Sequence, residues 1–117
     1  MLAAVDDGRS LVGLFSANTF PFVSDGYTIE PTLAEMTDAA MTRLQTNPEG
    51  FVLVVEGARI DHASHLNRSN SVHLETASLD AAVQRAVERI EGWGDYEVTI
   101  LVTADHECGG LHVGETG

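Results

Sequence analysis

The chain has 117 residues, of which 6 are basic and 18 acidic, so a formal charge of −12 sits on a composition that is 44% hydrophobic. That apolar fraction, with acid spread along the whole length, excludes a wholly disordered acidic tail. The six basic residues (Arg9, Arg43, Arg59, Arg68, Arg85 and Arg89) never form the run with which nucleic-acid binders engage phosphates, so nucleic acid is excluded as a partner.

A length of this order suits one domain or one piece of a domain. No apolar run is longer than Phe51–Val55, far short of the roughly 20 residues that span a bilayer, so the reading is of a soluble chain. Met1–Asp7 lacks a basic n-region and turns acidic before an apolar core could form; it is not a secretory signal, and the compartment stays open. The single cysteine, Cys108, excludes an internal disulfide framework and a Cys-rich zinc finger. With no basic neighbour to lower its pKa, Cys108 reads as a small half-buried loop residue.

Leu11–Phe15, interrupted by Gly13, is expected to be a short buried strand. The turn formers Asn18, Pro21, Ser24, Asp25 and Gly26 make residues 16–30 an irregular connection. A helix is expected over about 32–46: Thr32-Leu33-Ala34-Glu35 is a capping box, in which hydroxyl and carboxylate satisfy each other's orphan backbone N–H groups. Its buried stripe is Leu33, Met36, Ala40 and Leu44. Asn47-Pro48-Glu49-Gly50 stops it, since proline disfavours a helical conformation in the residue before it.

Phe51-Val52-Leu53-Val54-Val55 is continuous and β-rich without alternation, the pattern of a strand covered on both faces of a parallel sheet. A long helix follows over about 70–91, with Val72, Thr76, Leu79, Val83, Ala86, Val87 and Ile90 on one face and Gly92 and Gly94 near its end. Residues 96–103 form a further expected strand. Strand, helix and strand make a crossover unit with two parallel strands, hence an α/β fold.

Chemistry collects at the C-terminal ends of the two expected strands, the edge where open α/β sheets place their ligand sites. Glu56, Asp61, His62 and His65 follow the first; Asp105 and His106 follow the second. Carboxylate and imidazole donors of this kind suit Zn²⁺, and Asp61/His65 and Asp105/His106 offer two ligand pairs for two ions. Glu56 is an all-oxygen ligand suited to Mg²⁺. Any one of these residues alone reads as a surface or capping group, and the pattern leaves two readings open, a metal site and an incidental cluster.

Glu56-Gly57-Ala58-Arg59-Ile60-Asp61-His62-Ala63-Ser64-His65 resembles the alkaline phosphatase signature, in which Val-Glu-Gly, Ile-Asp-His and a further His follow a central strand. Val102-Thr103-Ala104-Asp105-His106-Glu107 is similar to that family's second metal segment, a pattern shared more widely in the superfamily, cofactor-independent phosphoglycerate mutases included. The resemblance extends through residues 79–86 and back to Leu14-Phe15-Ser16 and residues 30–36, so it covers most of the chain.

The resemblance implies a segment of an alkaline-phosphatase-like sandwich, with a central, mostly parallel sheet flanked by helices. It implies that Asp61 and His65 bind one zinc, Asp105 and His106 a second, and Glu56 a magnesium, with His62 beside the bound phosphate. The implied activity is hydrolysis of phosphate monoesters through a phosphoserine: one zinc activates the serine, and the other stabilises the leaving oxygen and supplies hydroxide. The implied parent is a homodimer, in a family often exported or membrane-anchored.

The family's nucleophilic Asp-Ser pair, bridging aspartate, phosphate-clamping Arg and late zinc-binding His have no counterpart among these residues. Asp25 follows Ser24 rather than preceding a serine, and His112 lies too soon after His106. His73 falls inside the second helix and reads as structural. Residues 1–117 are therefore expected to be a central-to-late fragment of a catalytic domain, inactive alone. The alternatives are another hydrolase or mutase of the superfamily and a non-catalytic acidic metal-binding module. A sulfatase is disfavoured because Cys108-Gly109-Gly110 is not the Cys-x-Pro-x-Arg context it needs.

Overall fold

A computed structural model describes residues 11–26, 31–95, 97–108 and 110. Among the described residues, three helices carry the regular structure: α1 (Leu33–Leu44), α2 (Ala58–His65) and α3 (Ser69–Glu91), preceded by a 3₁₀ turn at Val23–Asp25. The long helix α3 is the centre of the fold, and α1, α2 and the 3₁₀ turn all pack against it.

The start of α1 is the expected capping box. Thr32 Oγ1 accepts the Glu35 backbone N–H at 3.2 Å, and Glu35 Oε2 accepts the Thr32 N–H at 2.8 Å. These Thr32 donors favour the ionised carboxylate and hold the Glu35 pKa below its usual range. α1 ends at Leu44, ahead of the Asn47–Gly50 turn that Asn47 closes by donating from Nδ2 to the Gly50 carbonyl at 2.8 Å.

The buried face of α1 differs from the expected stripe. Thr37 and Met41 are buried, whereas Leu33, Met36, Ala40 and Leu44 are only half-buried. Thr37 is accommodated because its hydroxyl donates to the Leu33 carbonyl at 2.8 Å, which removes the cost of burying it. Arg89 of α3 donates to Asp38 Oδ2 at 3.0 Å and also to the Thr42 hydroxyl. This tie between the helices draws the Asp38 side of α1 toward α3.

α3 covers the expected range, but its most buried residues are Ser71, Glu75 and Ala82. Of the expected face, Thr76 and Val87 are exposed and the others half-buried. The helix turns its polar N-terminal half inward to hold the 3₁₀ turn: Glu75 Oε1 accepts the Val23 N–H at 2.8 Å, and Ser71 and Ser24 share a hydroxyl hydrogen bond at 2.6 Å. Hydrophobic periodicity cannot register such contacts.

The expected sheet is absent: among the described residues there is no strand, so the central parallel sheet flanked by helices gives way to a helical arrangement. Propensity makes a strand only when a neighbouring backbone supplies the ladder, and among the described residues no backbone hydrogen bond joins residues 51–57 to 97–104. Residues 11–15 likewise form no strand, and Tyr96 lies outside the described residues. Val52 and Val54 are 89% and 85% exposed while Phe51, Leu53 and Val55 are half-buried, so the segment is covered on one face rather than two. Phe51 on the covered face meets Trp93 edge-on, with ring centroids 6.0 Å apart.

α2 was not expected. It begins at Gly57, where an added Cβ would lie 3.1 Å from Ile60 Cδ1 and 3.3 Å from Leu79 Cβ and Cδ2, so the glycine lets α2 approach α3 closely. Ala63 and Ser64 are buried. The helix ends in a Schellman arrangement, with Asn67 at φ 52°, its N–H on the Ser64 carbonyl and the Arg68 N–H on the Ala63 carbonyl. α3 starts two residues later. Among the described residues no helix is long and apolar enough to cross a membrane.

Candidate metal centre

The eight residues of α2 convert a sequence spacing into a cluster of candidate donors. Asp61 and His65 stand one turn apart, with His65 Nε2 3.3 Å from Asp61 Oδ1. Asp105 and His106, in the irregular segment after residue 103, form a second pair, with His106 Nε2 3.1 Å from Asp105 Oδ2. Cys108 joins the two. Its thiol donates to Asp61 Oδ1, and its Sγ lies 3.4 Å from His106 Nδ1. The two donor pairs thus meet across this sulfur, without a sheet to align them.

The donor atoms of Asp61, His65 and Cys108 all lie within 4.8 Å of one another, and among the described residues no other group of three or more such donors is so close. Zinc bonds to oxygen and nitrogen of about 2.0 Å, at tetrahedral angles, separate ligand atoms by about 3.3 Å. The spacing within each carboxylate–imidazole pair fits that requirement. His106 fits in a second way: its Nδ1 lies 2.8 Å from the Glu107 carbonyl, the partner that fixes the tautomer and leaves Nε2 as the donor atom.

The electrostatics follow from these contacts. The Cys108 S–H, then the neighbouring His65, His62 and His106, hold the Asp61 carboxyl below its usual range. The Glu107 carbonyl and the Asp105 carboxylate push His106 above an ordinary imidazole. The Cys108 thiol is pushed up to about 11, chiefly because it donates a hydrogen bond to Asp61. From its sequence neighbours Cys108 is expected to be a small half-buried loop residue. It is half-buried, and it also joins the cluster, for which the only sequence signal is that Asp105-His106-Glu107-Cys108 puts a thiol three residues after a candidate ligand.

His62 occupies a different face of α2. Its Nδ1 lies 3.0 Å from Arg59 Nη1, and since a guanidinium only donates, Nδ1 accepts and the ring proton sits on Nε2. The Arg59 guanidinium lies 3.7 Å from the ring centroid of buried Phe22, and that of Arg68 lies 4.6 Å from it, so two cations bear on the same ring. Arg68 also pairs with Asp25 at 2.6 Å, which lowers the Asp25 pKa. Glu56 is exposed and joins none of these contacts. His73 is exposed on α3, and His112 lies outside the described residues.

The family model described as alkaline phosphatase matches residues 1–116. Among similar proteins, a membrane-bound alkaline phosphatase of Bombyx mori is 42% identical over 97 residues, covering 82% of this chain and 17% of that protein. An alkaline phosphatase of Escherichia coli is 47% identical over 76 residues, covering 65% and 16%. Alkaline phosphatase 4 of Bacillus subtilis is 33% identical over 109 residues, covering 93% and 23%. The chain therefore spans between about a sixth and a quarter of the length of these relatives. No solved structure matches. A match along almost its whole length, carrying both carboxylate–imidazole segments, makes this chain a member of the alkaline phosphatase family.

Proposed function

We propose that this chain supplies the metal-holding part of a site that hydrolyses phosphate monoesters through a phosphoserine in the whole enzyme. Asp61 and His65 hold one zinc, Asp105 and His106 a second, and Glu56 a magnesium. The observation that carries this reading is the convergence of two donor pairs at tetrahedral ligand spacing, joined through Cys108. It occurs in a chain of a family whose relatives are named as phosphatases.

Bound divalent ions supply Lewis-acid stabilisation of phosphoryl oxygens and water of lowered pKa. The residues themselves place and tune. α2 fixes the donors of Asp61 and His65, and the Glu107 carbonyl holds the His106 tautomer. His62, accepting from Arg59 at Nδ1, turns Nε2 toward the role of donor to a phosphate oxygen. No serine of this chain is assigned as the nucleophile, so the isolated chain turns over no monoester.

Metal analysis after equilibration with Zn²⁺ tests the reading. Binding that falls at least tenfold in both His65→Ala and Asp105→Ala is the expected result, the size that losing a ligand or its immediate support produces. Binding unchanged in both variants would remove the assignment. Hydrolysis of a generic monoester by the pure chain would overturn the inactivity.

A further inference from the structure

The chain carries 18 acidic side chains, yet among the described residues Arg59 forms an ion pair with none of them. Of the two guanidinium groups that contact the Phe22 ring, Arg68 has a carboxylate, Asp25 at 2.6 Å; Arg59 has an imidazole instead, donating from Nη1 to His62 Nδ1 at 3.0 Å. Its Nε is buried without a partner. We infer that Phe22 and Arg59 are positioning residues for His62: the ring holds the guanidinium against Nδ1, which leaves Nε2 as the atom turned to the substrate phosphate. This inference rests on the phosphate-facing role proposed for His62 above and adds the residues that set it.

Three observations carry it. First, the arginines that tie this fold together reach carboxylates: Arg68, Arg85 and Arg89 pair with Asp25, Glu88 and Asp38. Arg59 gives its directed hydrogen bond to an imidazole, which accepts only at the ring nitrogen that lacks a proton. That bond selects between ring tautomers, an effect an ion pair with a carboxylate would not have. Second, the guanidinium is held from another side. It lies 3.7 Å from the centroid of a ring that is 5% exposed, and a cation held against a fixed ring loses the freedom to swing to a surface acid. The unpartnered Nε opposes this burial, so the ring and His62 keep the group in place against that cost. Third, Phe22 is itself fixed by the fold. Arg68 contacts the same ring while paired with Asp25, the Phe22 N–H donates to Asp25 Oδ2 at 3.3 Å, and the next residue, Val23, donates to Glu75 of α3. A segment expected only to connect thus sets the orientation of a side chain on α2.

The test reads the ring nitrogens of His62 by nitrogen-15 NMR in the metal-free 117-residue chain, at about pH 8.5, above the ordinary imidazole range. His62→Gln identifies its signals among the five histidines. In the wild type, His62 should be unprotonated at Nδ1 and protonated at Nε2. Arg59→Met keeps an unbranched chain against Phe22 but has no donor, and the ratio of the two tautomers should fall by about tenfold, the weight of one hydrogen bond from a charged donor. Arg59→Lys, which restores a charged donor, should recover part of that ratio. Phe22→Leu, checked for retained helix by circular dichroism, should lower it too, whereas a ring with a purely structural role would leave both nitrogens unmoved. A ratio unchanged in Arg59→Met would overturn the inference, and one unchanged in Phe22→Leu would strike Phe22 from it. Failure of the metal-centre reading would show in zinc binding by His65→Ala and Asp105→Ala and leave these metal-free spectra as they are, so the two failures are told apart.

Discussion

The Cys108 thiol donates a hydrogen bond to the Asp61 carboxylate, and that contact, between residues 47 apart in sequence, fastens the irregular 104–108 segment to α2. The two pKa shifts it produces are opposite in sign: the carboxyl is lowered and the thiol raised to about 11. A carboxylate that accepts a hydrogen bond prefers to stay ionised, while a thiol that donates one to an anion resists losing its proton.

Cys108→Ala in the metal-free chain should therefore raise the Asp61 pKa toward the ordinary aspartate value, read by NMR titration of the carboxyl carbon. The linkage has a definite sign. Because the folded pKa of Asp61 is depressed, its contribution to stability is present above the unfolded value of about 3.9 and is lost as pH falls through the folded value. The wild type should lose more stability than Cys108→Ala over that acidic window in urea titrations at successive pH values. An Asp61 titration identical in both proteins would show that the thiol contact does not form in solution.

His106 is shifted the other way, with a folded pKa above the unfolded value near 6.5. Its contribution to stability is full below the unfolded value and disappears as pH rises through the folded one. Asp105→Asn should lower the His106 pKa only in part, because the Glu107 carbonyl is the larger cause and stays in place. Imidazole proton shifts followed against pH give both values; complete reversal in Asp105→Asn would contradict the backbone contact.

Phe22 is 5% exposed and contacted by the guanidinium groups of Arg59 and Arg68. Phe22→Ala removes a buried ring and both cation contacts, at an expected cost of about 3–5 kcal/mol, while Phe22→Leu keeps most of the volume and should cost less. Urea unfolding followed by far-ultraviolet circular dichroism measures both. Equal stabilities for Phe22→Ala and the wild type would mean that the 3₁₀ turn is not docked on α3.

Gly57 permits the close approach of α2 to Leu79. An alanine needs its neighbours to yield by a few tenths of an ångström, and a valine by more. Gly57→Val should destabilise by about 1–3 kcal/mol through overpacking, and should weaken metal binding because Asp61 and His65 ride on the displaced helix. Thermal unfolding and zinc titration check the two effects, and a Gly57→Val chain as stable as the wild type would place α2 farther from α3 than the structure has it.

Much of this arrangement was legible in the residues before any coordinates. The Thr32–Glu35 box, the span of α3 and the carboxylate–imidazole segments depend on local physics: a cap needs partners three residues apart, and a long periodic run declares its helix. The family resemblance was legible for the same reason, being carried in contiguous stretches. Tertiary structure decided the rest. Residues 51–55 and 97–103 have strand propensity but no ladder partner among the described residues, and pairing between distant segments is not encoded in either one alone. The inward faces of α1 and α3 were set by polar contacts, Arg89 to Asp38 and Glu75 to Val23, which a count of apolar periodicity passes over. α2 is only eight residues long, too short for such a count to find. Cys108 shows the division most clearly: its sequence neighbours made it ordinary, and a contact with a carboxylate 47 residues away made it part of the centre.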